Sequence, residues 1–217
     1  MKTKIEDNVI FVSGIDTNIG KSYATGYLAR EWNRCGRRTI TQKLIQTGNT
    51  DLSEDIERHR HIMGCGLLPE DREGLTMPEI FTYPCSPHLA AEIDRREIDF
   101  EKIRRATETL ADRYDVVLLE GAGGLMVPLT RDLLTIDFVA QQGYPLILVT
   151  SGRLGSINHT LLSLEAVEHR GIRLHSLVYN LYPEGEDKII QTDTMEYLQT
   201  YLQKHFPEAE FVTVPCL

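Results

Sequence analysis

The sequence predicts a single α/β domain, a mostly parallel sheet with helices on both faces. Three observations carry this. Short, continuous apolar and β-branched runs recur with helical segments between them, the pattern of strands buried on both sides. Polar and Gly residues stand at or just after the ends of those runs, where an open parallel sheet places its ligand crevice. At 217 residues and 41% apolar content the chain can bury one substantial core, and nothing demands a second domain, so the domain is read as spanning residues 1–217.

The first run, Val9–Ser13, leads into Gly14-Ile15-Asp16-Thr17-Asn18-Ile19-Gly20-Lys21-Ser22 and then into a helix expected over Ser22–Cys35. A strand feeding a Gly-rich turn that opens a helix presents backbone N–H groups and the positive end of the helix dipole to an anion. Lys21 adds a full charge and Ser22 a hydroxyl for Mg²⁺. This is a phosphate cradle of the P-loop NTPase type, although five residues separate Gly14 from Gly20 where the regular pattern has four, and Ile15 occupies the usual first Gly position.

The second strand, Thr39–Lys43, ends in a Lys that can neutralise a second anion or a transferring phosphoryl group; an exposed strand-end Lys is the plainer alternative. A helix is expected over Ser53–Met63. Asp55 at its start could supply an oxygen to Mg²⁺, or could be a surface carboxylate favoured by the helix dipole. The charged stretch Glu54–His61 reads as a solvated face, His59 and His61 included. Gly64–Pro84, with Pro69, Pro78 and Pro84, reads as a long loop around the rim.

After a helix over Phe100–Arg113, the strand Val116–Glu120 runs into Gly121-Ala122-Gly123-Gly124. A buried strand ending in a carboxylate beside a Gly-rich turn is the Walker-B arrangement, with Glu120 expected to face Ser22 across Mg²⁺. Then follow a helix over Ile136–Gln142, a strand over Leu146–Thr150, a helix over His159–Arg170, a strand over Leu177–Asn180, a helix over Asp187–His205 and a last strand over Phe211–Val214. Gly14, Lys43, Glu120, Ser151 and Asn180 should converge on one rim.

The net charge of −9 argues against a general nucleic-acid or membrane-surface role. Residues 1–7 contain no apolar leader segment and no stretch approaches a membrane span, so a cytoplasmic location is expected. Cys35, Cys65, Cys85 and Cys216 are scattered and read as reduced thiols.

Together these blocks resemble the dethiobiotin synthetases, whose loop has the form G-T-D-T-x-V-G-K-T. Four further blocks agree in order: Lys43 with Thr47-Gly48, Ser86-Pro87-His88, Glu120 to Gly124 with Val127-Pro128-Leu129, and Leu154-Gly155-Ser156-Ile157-Asn158-His159. The resemblance runs from about Val9 to Tyr197. It implies an ATP-dependent ligase in which 7,8-diaminononanoate forms a carbamate with CO₂, ATP phosphorylates the carbamate, and the second amine closes the ureido ring. By matching position, Lys21 and Lys43 hold the carbamate and γ-phosphate, Thr17 and Thr47 hydrogen-bond the carbamate end, and Ser22, Asp55 and Glu120 arrange Mg²⁺. Gly14, Asp16, Asn18, Ile19 and Gly20 cradle the nucleotide phosphates and Asn180 reads the adenine, its side-chain amide having both donor and acceptor.

The resemblance further implies a homodimer in which Leu154, Gly155, Asn158 and Tyr197 reach the substrate's carboxylate from the second subunit. A helix N-terminus suits that anion. The chain departs from the family pattern at Ile15, Ser22, Leu44 and Thr47, without loss of a needed functional group. It also stops at Val214-Pro215-Cys216-Leu217, where members continue with a loop and helix near the base. The competing reading is a nucleotide-switched ATPase of the partition type; those proteins carry a Lys where this chain has Asp16, and need a basic face that a −9 chain lacks. A related ligase for a larger acid would need a glutaminase domain for which 217 residues leave no room.

Overall fold

The computed structural model describes residues 8–182 and 187–216. Residues 1–7, on which the absence of a leader segment was read, lie outside the described residues, as does Leu217.

The chain begins with β1 (Val9–Gly14), α1 (Lys21–Arg34), β2 (Thr39–Lys43) and the two-residue β3 (Gln46–Thr47). It continues through α2 (Glu54–Met63), α3 (Pro69–Arg72), β4 (Ile80–Phe81), α4 (Pro87–Ile93), α5 (Phe100–Arg113) and β5 (Val116–Gly124). The last part is α6 (Thr135–Gln142), β6 (Leu146–Ser151), α7 (Ser156–His169), β7 (Leu174–Asn180), α8 (Lys188–His205) and β8 (Glu210–Val214). Six strands form one sheet in the order β2-β5-β1-β6-β7-β8, and every pairing in it is parallel.

Successive side chains of a strand leave opposite faces. Ile10, Val12 and Leu118 therefore pack with Ala24 and Leu28 of α1 and Ile62 of α2 on one face. Phe11, Leu119 and Leu148 pack with Leu110, Val139, Leu164 and Leu198 of α5 to α8 on the other. Burial on both faces is why these strands read as unbroken apolar runs. α5 shows the helical counterpart: Ile103, Ala106, Thr107 and Leu110 form its buried stripe, and Asp99 caps it by accepting from the Lys102 amide at 2.8 Å. From β1 the chain crosses to β2 on one side, and from β5 it passes to β6 on the other. That reversal opens a crevice at the carboxyl ends of β1 and β5.

Three expectations need correction. The segment 64–84 is not one long loop: it holds α3 and β4, and β4 pairs in parallel with β3. Within it, Pro69 stands at the start of α3, where a fixed φ and a missing N–H cost nothing. α7 begins at Ser156, three residues earlier than expected, because Gly155 takes φ 93° immediately before it.

The third correction concerns α2. Glu54, Glu57, Arg58 and His61 are exposed, but His59 and Arg60 are fully or almost fully buried. Gly26 of α1 explains how α2 comes so close: a Cβ there would lie 3.1 Å from Ile62 Cβ and 3.2 Å from the His59 Cα. Burial then demands partners for the charge. Arg60 Nε and Nη2 donate to Asp71 at 2.9 and 2.8 Å, and Nη1 donates to Thr41 Oγ1 at 2.8 Å. Asp71 also accepts from the Leu68 amide and from the Thr76 hydroxyl, each at 2.7 Å.

Burial pushes the Asp71 carboxyl up, but the hydrogen bonds and charge of Arg60, with Thr76 and Leu68, outweigh it and hold the pKa below the ordinary value. A depressed carboxylate stabilises the fold above its unfolded pKa of about 3.9, and that stability is lost as pH falls through the folded value. Asp71→Asn should therefore cost about 3–5 kcal/mol at neutral pH by stranding Arg60. Urea unfolding at pH 7 and again near pH 3 should show the gap to the unsubstituted protein narrowing in acid; an equal gap at both would refute the charge-based account.

Candidate active site

The phosphate cradle forms as β1 turns into α1. Gly20 takes φ 84° at the helix start, and a Cβ there would fall 2.1 Å from Asn180 Nδ2, so no other residue fits. Lys21, the first residue of α1, is buried, with Nζ donating to the Asp16 carbonyl at 3.2 Å. Burial, with Lys43 nearby, lowers its pKa to about 8 despite Glu120, Asp55 and Asp16. It is a largely buried cation that an anion in the cleft would complete. Asp16 braces the loop from outside, accepting from the Thr17 amide at 2.7 Å and pairing with Arg153.

Asn180, at the end of β7, is likewise buried behind the loop. Its Nδ2 donates to the Ile19 and Tyr182 carbonyls at 3.1 and 2.7 Å, and Oδ1 accepts from the Tyr182 amide at 3.1 Å. Both donors are thus engaged, one tying β7 to the cradle and the other closing the turn after β7, and the second lone pair of Oδ1 is what the amide can still offer.

Opposite Lys21, three elements bring their oxygens together. Ser22 Oγ on α1 lies 2.5 Å from Asp55 Oδ1 on α2 and 3.0 Å from Glu120 Oε1 on β5. Lys43 Nζ, at the end of β2, reaches Asp55 Oδ2 at 2.6 Å, Glu120 Oε1 at 2.9 Å and the Gly121 carbonyl at 3.1 Å. Asp55 is set by the cap of α2, where Ser53 Oγ accepts from the Ile56 amide at 3.2 Å. Burial would raise the pKa of Glu120, but Lys43 and His59 beside it keep it well below the ordinary value. Burial likewise opposes the Lys43 charge, and the two carboxylates more than offset it, so its pKa is raised.

A hydroxyl and two carboxylates are hard ligands. They fit Mg²⁺, which keeps several waters and takes phosphate oxygens alongside few protein groups.

These groups face a cleft of about 600 Å³. Of the residues expected from sequence, Thr17, Asn18, Gly20, Lys21, Ser22, Lys43, Thr47, Asp55 and Glu120 line it. Gly14, Asp16, Ile19 and Asn180 are not among the lining residues. Leu154, Gly155, Asn158 and Tyr197 do not line it either; Leu154 is 84% exposed and Tyr197 48%. Two residues were not anticipated at the site. Arg153 holds Asp16. His59, read as solvated, instead places Nε2 2.9 Å from Glu120 Oε2. A signal for it was available: His59 follows Asp55 by four residues and so shares its helix face.

A parallel sheet with a phosphate cradle at its central strand and a Walker-type carboxylate on the adjoining strand defines a P-loop nucleotide-dependent protein. A family profile described as an AAA domain matches residues 8–208. The ATP-dependent dethiobiotin synthetase BioD 2 of Pasteurella multocida is 50% identical over 203 residues, covering 94% of this chain and 95% of that protein. The corresponding BioD of Chlorobaculum tepidum is 51% identical over 209 residues, covering 96% and 87%. The chain belongs to the ATP-dependent dethiobiotin synthetases, ligases that form a C–N bond.

Solved structures share the fold alone. pNOB8 ParA bound to nonspecific DNA superposes with TM-score 0.54 at 14% identity, covering 94% of this chain and 79% of that one. The signal recognition particle receptor FtsY of Elizabethkingia anophelis gives 0.51 at 14%, and the match spans 99% of this chain but 57% of the receptor chain. The likeness to ParA therefore lends no support to a partition role against relatives at half identity.

Proposed function

We propose that the cleft joins 7,8-diaminononanoate and CO₂ through a phosphorylated carbamate, releasing ADP and phosphate as the ureido ring closes. The convergence of Lys21 and Lys43 on one cleft beside Ser22, Asp55 and Glu120 carries this reading. Mg²⁺, held by Ser22, Asp55 and Glu120, would supply charge to the nucleotide phosphates. Lys21, with the loop amides from Asp16 to Ser22, would grip the γ-phosphate. Lys43, kept charged by its carboxylate neighbours, would hold the carbamate where phosphoryl transfer takes place. Thr17 and Thr47 face the same cleft and would fix the carbamate's orientation by hydrogen bonds. The free lone pair of Asn180 Oδ1 suits the exocyclic amine of adenine.

The same reading includes a homodimer. Leu154, Met126 and Leu162 are 84%, 55% and 57% exposed, and Met126 and Leu162 line a groove of about 350 Å³ that also includes Thr17. A second copy covering that groove would deliver Leu154, Gly155, Asn158 and Tyr197 to the substrate carboxylate of its neighbour. A cytoplasmic location belongs to the reading as well, because the reaction consumes ATP. Among the described residues no helix is long and apolar enough to cross a membrane.

Incubation with Mg-ATP and bicarbonate tests the reaction. ADP should form only when 7,8-diaminononanoate and CO₂ are both present, because a site built to position its reactants has no group to activate water. Equal ADP formation without the diamine would refute the ligase route.

A further inference from the structure

The two oxygens of Glu120 face different surroundings. Oε1 points into the cleft, toward Ser22 Oγ and Lys43 Nζ. Oε2 turns inward to Nε2 of His59, a wholly buried side chain to which the proposed reaction gives no part. His59 Nδ1 lies 3.0 Å from Thr41 Oγ1, which accepts from Arg60 Nη1 at 2.8 Å. A hydroxyl that accepts from a guanidinium has its own proton left to give, and Nδ1 is within reach. This accounting assigns the ring proton to Nε2, so that it points at Glu120 Oε2. The reverse arrangement would set a bare nitrogen against a carboxylate oxygen.

We infer that His59 is a positioning residue for Glu120: it anchors Oε2 so that Oε1 is presented beside Ser22 to the divalent cation. The inference rests on the reading of Ser22, Asp55 and Glu120 as the Mg²⁺ site. Its physical content is that one helix spaces two carboxylates from different elements. α2 carries Asp55 in its first turn, and one turn later it holds Glu120 of β5 through the imidazole. The line Asp71, Arg60, Thr41, His59 keeps the ring from rotating, since each member is buried and hydrogen-bonded to the next. A carboxylate left unanchored on one side can rotate away from the geometry that Mg²⁺ demands.

The test reads metal use without turnover. ADP affinity is measured by calorimetry in EDTA and in millimolar Mg²⁺, and the ratio of the two is compared among the unsubstituted protein, His59→Leu, His59→Gln and Thr41→Val. The Leu variant keeps the volume and removes the donor; the Gln variant restores an N–H at similar reach. The factor by which Mg²⁺ tightens ADP should fall about 10–100-fold in the Leu variant, with ADP affinity in EDTA unchanged. The Gln variant should recover most of the loss, and Thr41→Val, which removes the hydroxyl that orients the ring, should lose part of the factor. A folded Leu variant with an undiminished Mg²⁺ effect would overturn the inference, as would Leu and Gln variants weakened alike. If the Leu variant does not fold, an undiminished Mg²⁺ effect in Thr41→Val overturns it. No Mg²⁺ effect in the unsubstituted protein would overturn the metal-site reading itself.

Discussion

Lys21→Ala and Lys43→Ala are each expected to lower kcat by about 10²-fold or more, the scale of removing one preorganised charge from a transition state. The two losses should differ in kind. Lys21 is buried in the cradle with Nζ on a backbone carbonyl, so its removal deletes a cation reserved for an anion and should weaken nucleotide binding as well. Lys43 lies between Asp55 and Glu120 at 2.6 and 2.9 Å, so its removal also leaves two carboxylates facing each other, one of them fully buried. The Ala variant should therefore be less stable before any substrate is added. Steady-state ADP release at saturating substrate, together with thermal unfolding, separates the two effects. An unchanged kcat in Lys43→Ala would reduce that residue to a strand-end cation.

Mixing two inactive variants should restore activity. Lys21→Ala damages the cradle, and Asn158→Ala damages the exposed start of α7, which in one chain does not line the cleft. In a two-fold dimer with shared sites, a hybrid carries one site with both lesions and one with neither. Random exchange of equal amounts makes half the dimers hybrid, each with one intact site of two, so activity should return to about a quarter of the unsubstituted level. Each variant alone should stay dead. A protein that is monomeric at assay concentration, or folded and exchanged hybrids without activity, would refute the shared site.

The parts of the site legible in the sequence are those written into contiguous residues. Gly14 to Ser22 spells strand, turn and helix in nine positions, and the apolar run before Glu120 followed by three Gly in four residues is equally local. Both appear where expected, with Ser22 Oγ 3.0 Å from Glu120 Oε1. The strand-end rule also placed Lys43 correctly, because β2 lies beside β5 and delivers its last residue next to Glu120. Asp55 was left open between a metal ligand and a surface carboxylate, since a residue in a first helical turn looks the same in both roles. Its distance of 2.6 Å to Lys43 brings it into the cluster.

The α2 residues show why the remainder was not legible. Glu54 to His61 is polar in every position but Ile56, and by pattern alone that is a solvated stretch. His59 and Arg60 are buried because α2 presses against Gly26 of α1, and because Thr41, Asp71 and Glu120 answer their polar atoms from three other elements. Pro69 misleads for a related reason: a Pro ends helices or begins them, and which it does depends on what the following turn packs against.

By itself, then, the sequence determined the strands and long helices, the phosphate cradle, the Walker-type carboxylate and the family, because each is carried by local periodicity or by side chains within a few positions of one another. Tertiary structure alone decided the strand order β2-β5-β1-β6-β7-β8, the choice of Asp55 as a member of the cluster, and the burial of His59 behind Glu120. Those depend on contacts between residues far apart in the chain, as Phe11 and Leu146 are across β1 and β6 and Ser22 and Glu120 are in the site, and a desolvated polar side chain acquires its partners only when the packing that buries it also brings them within reach.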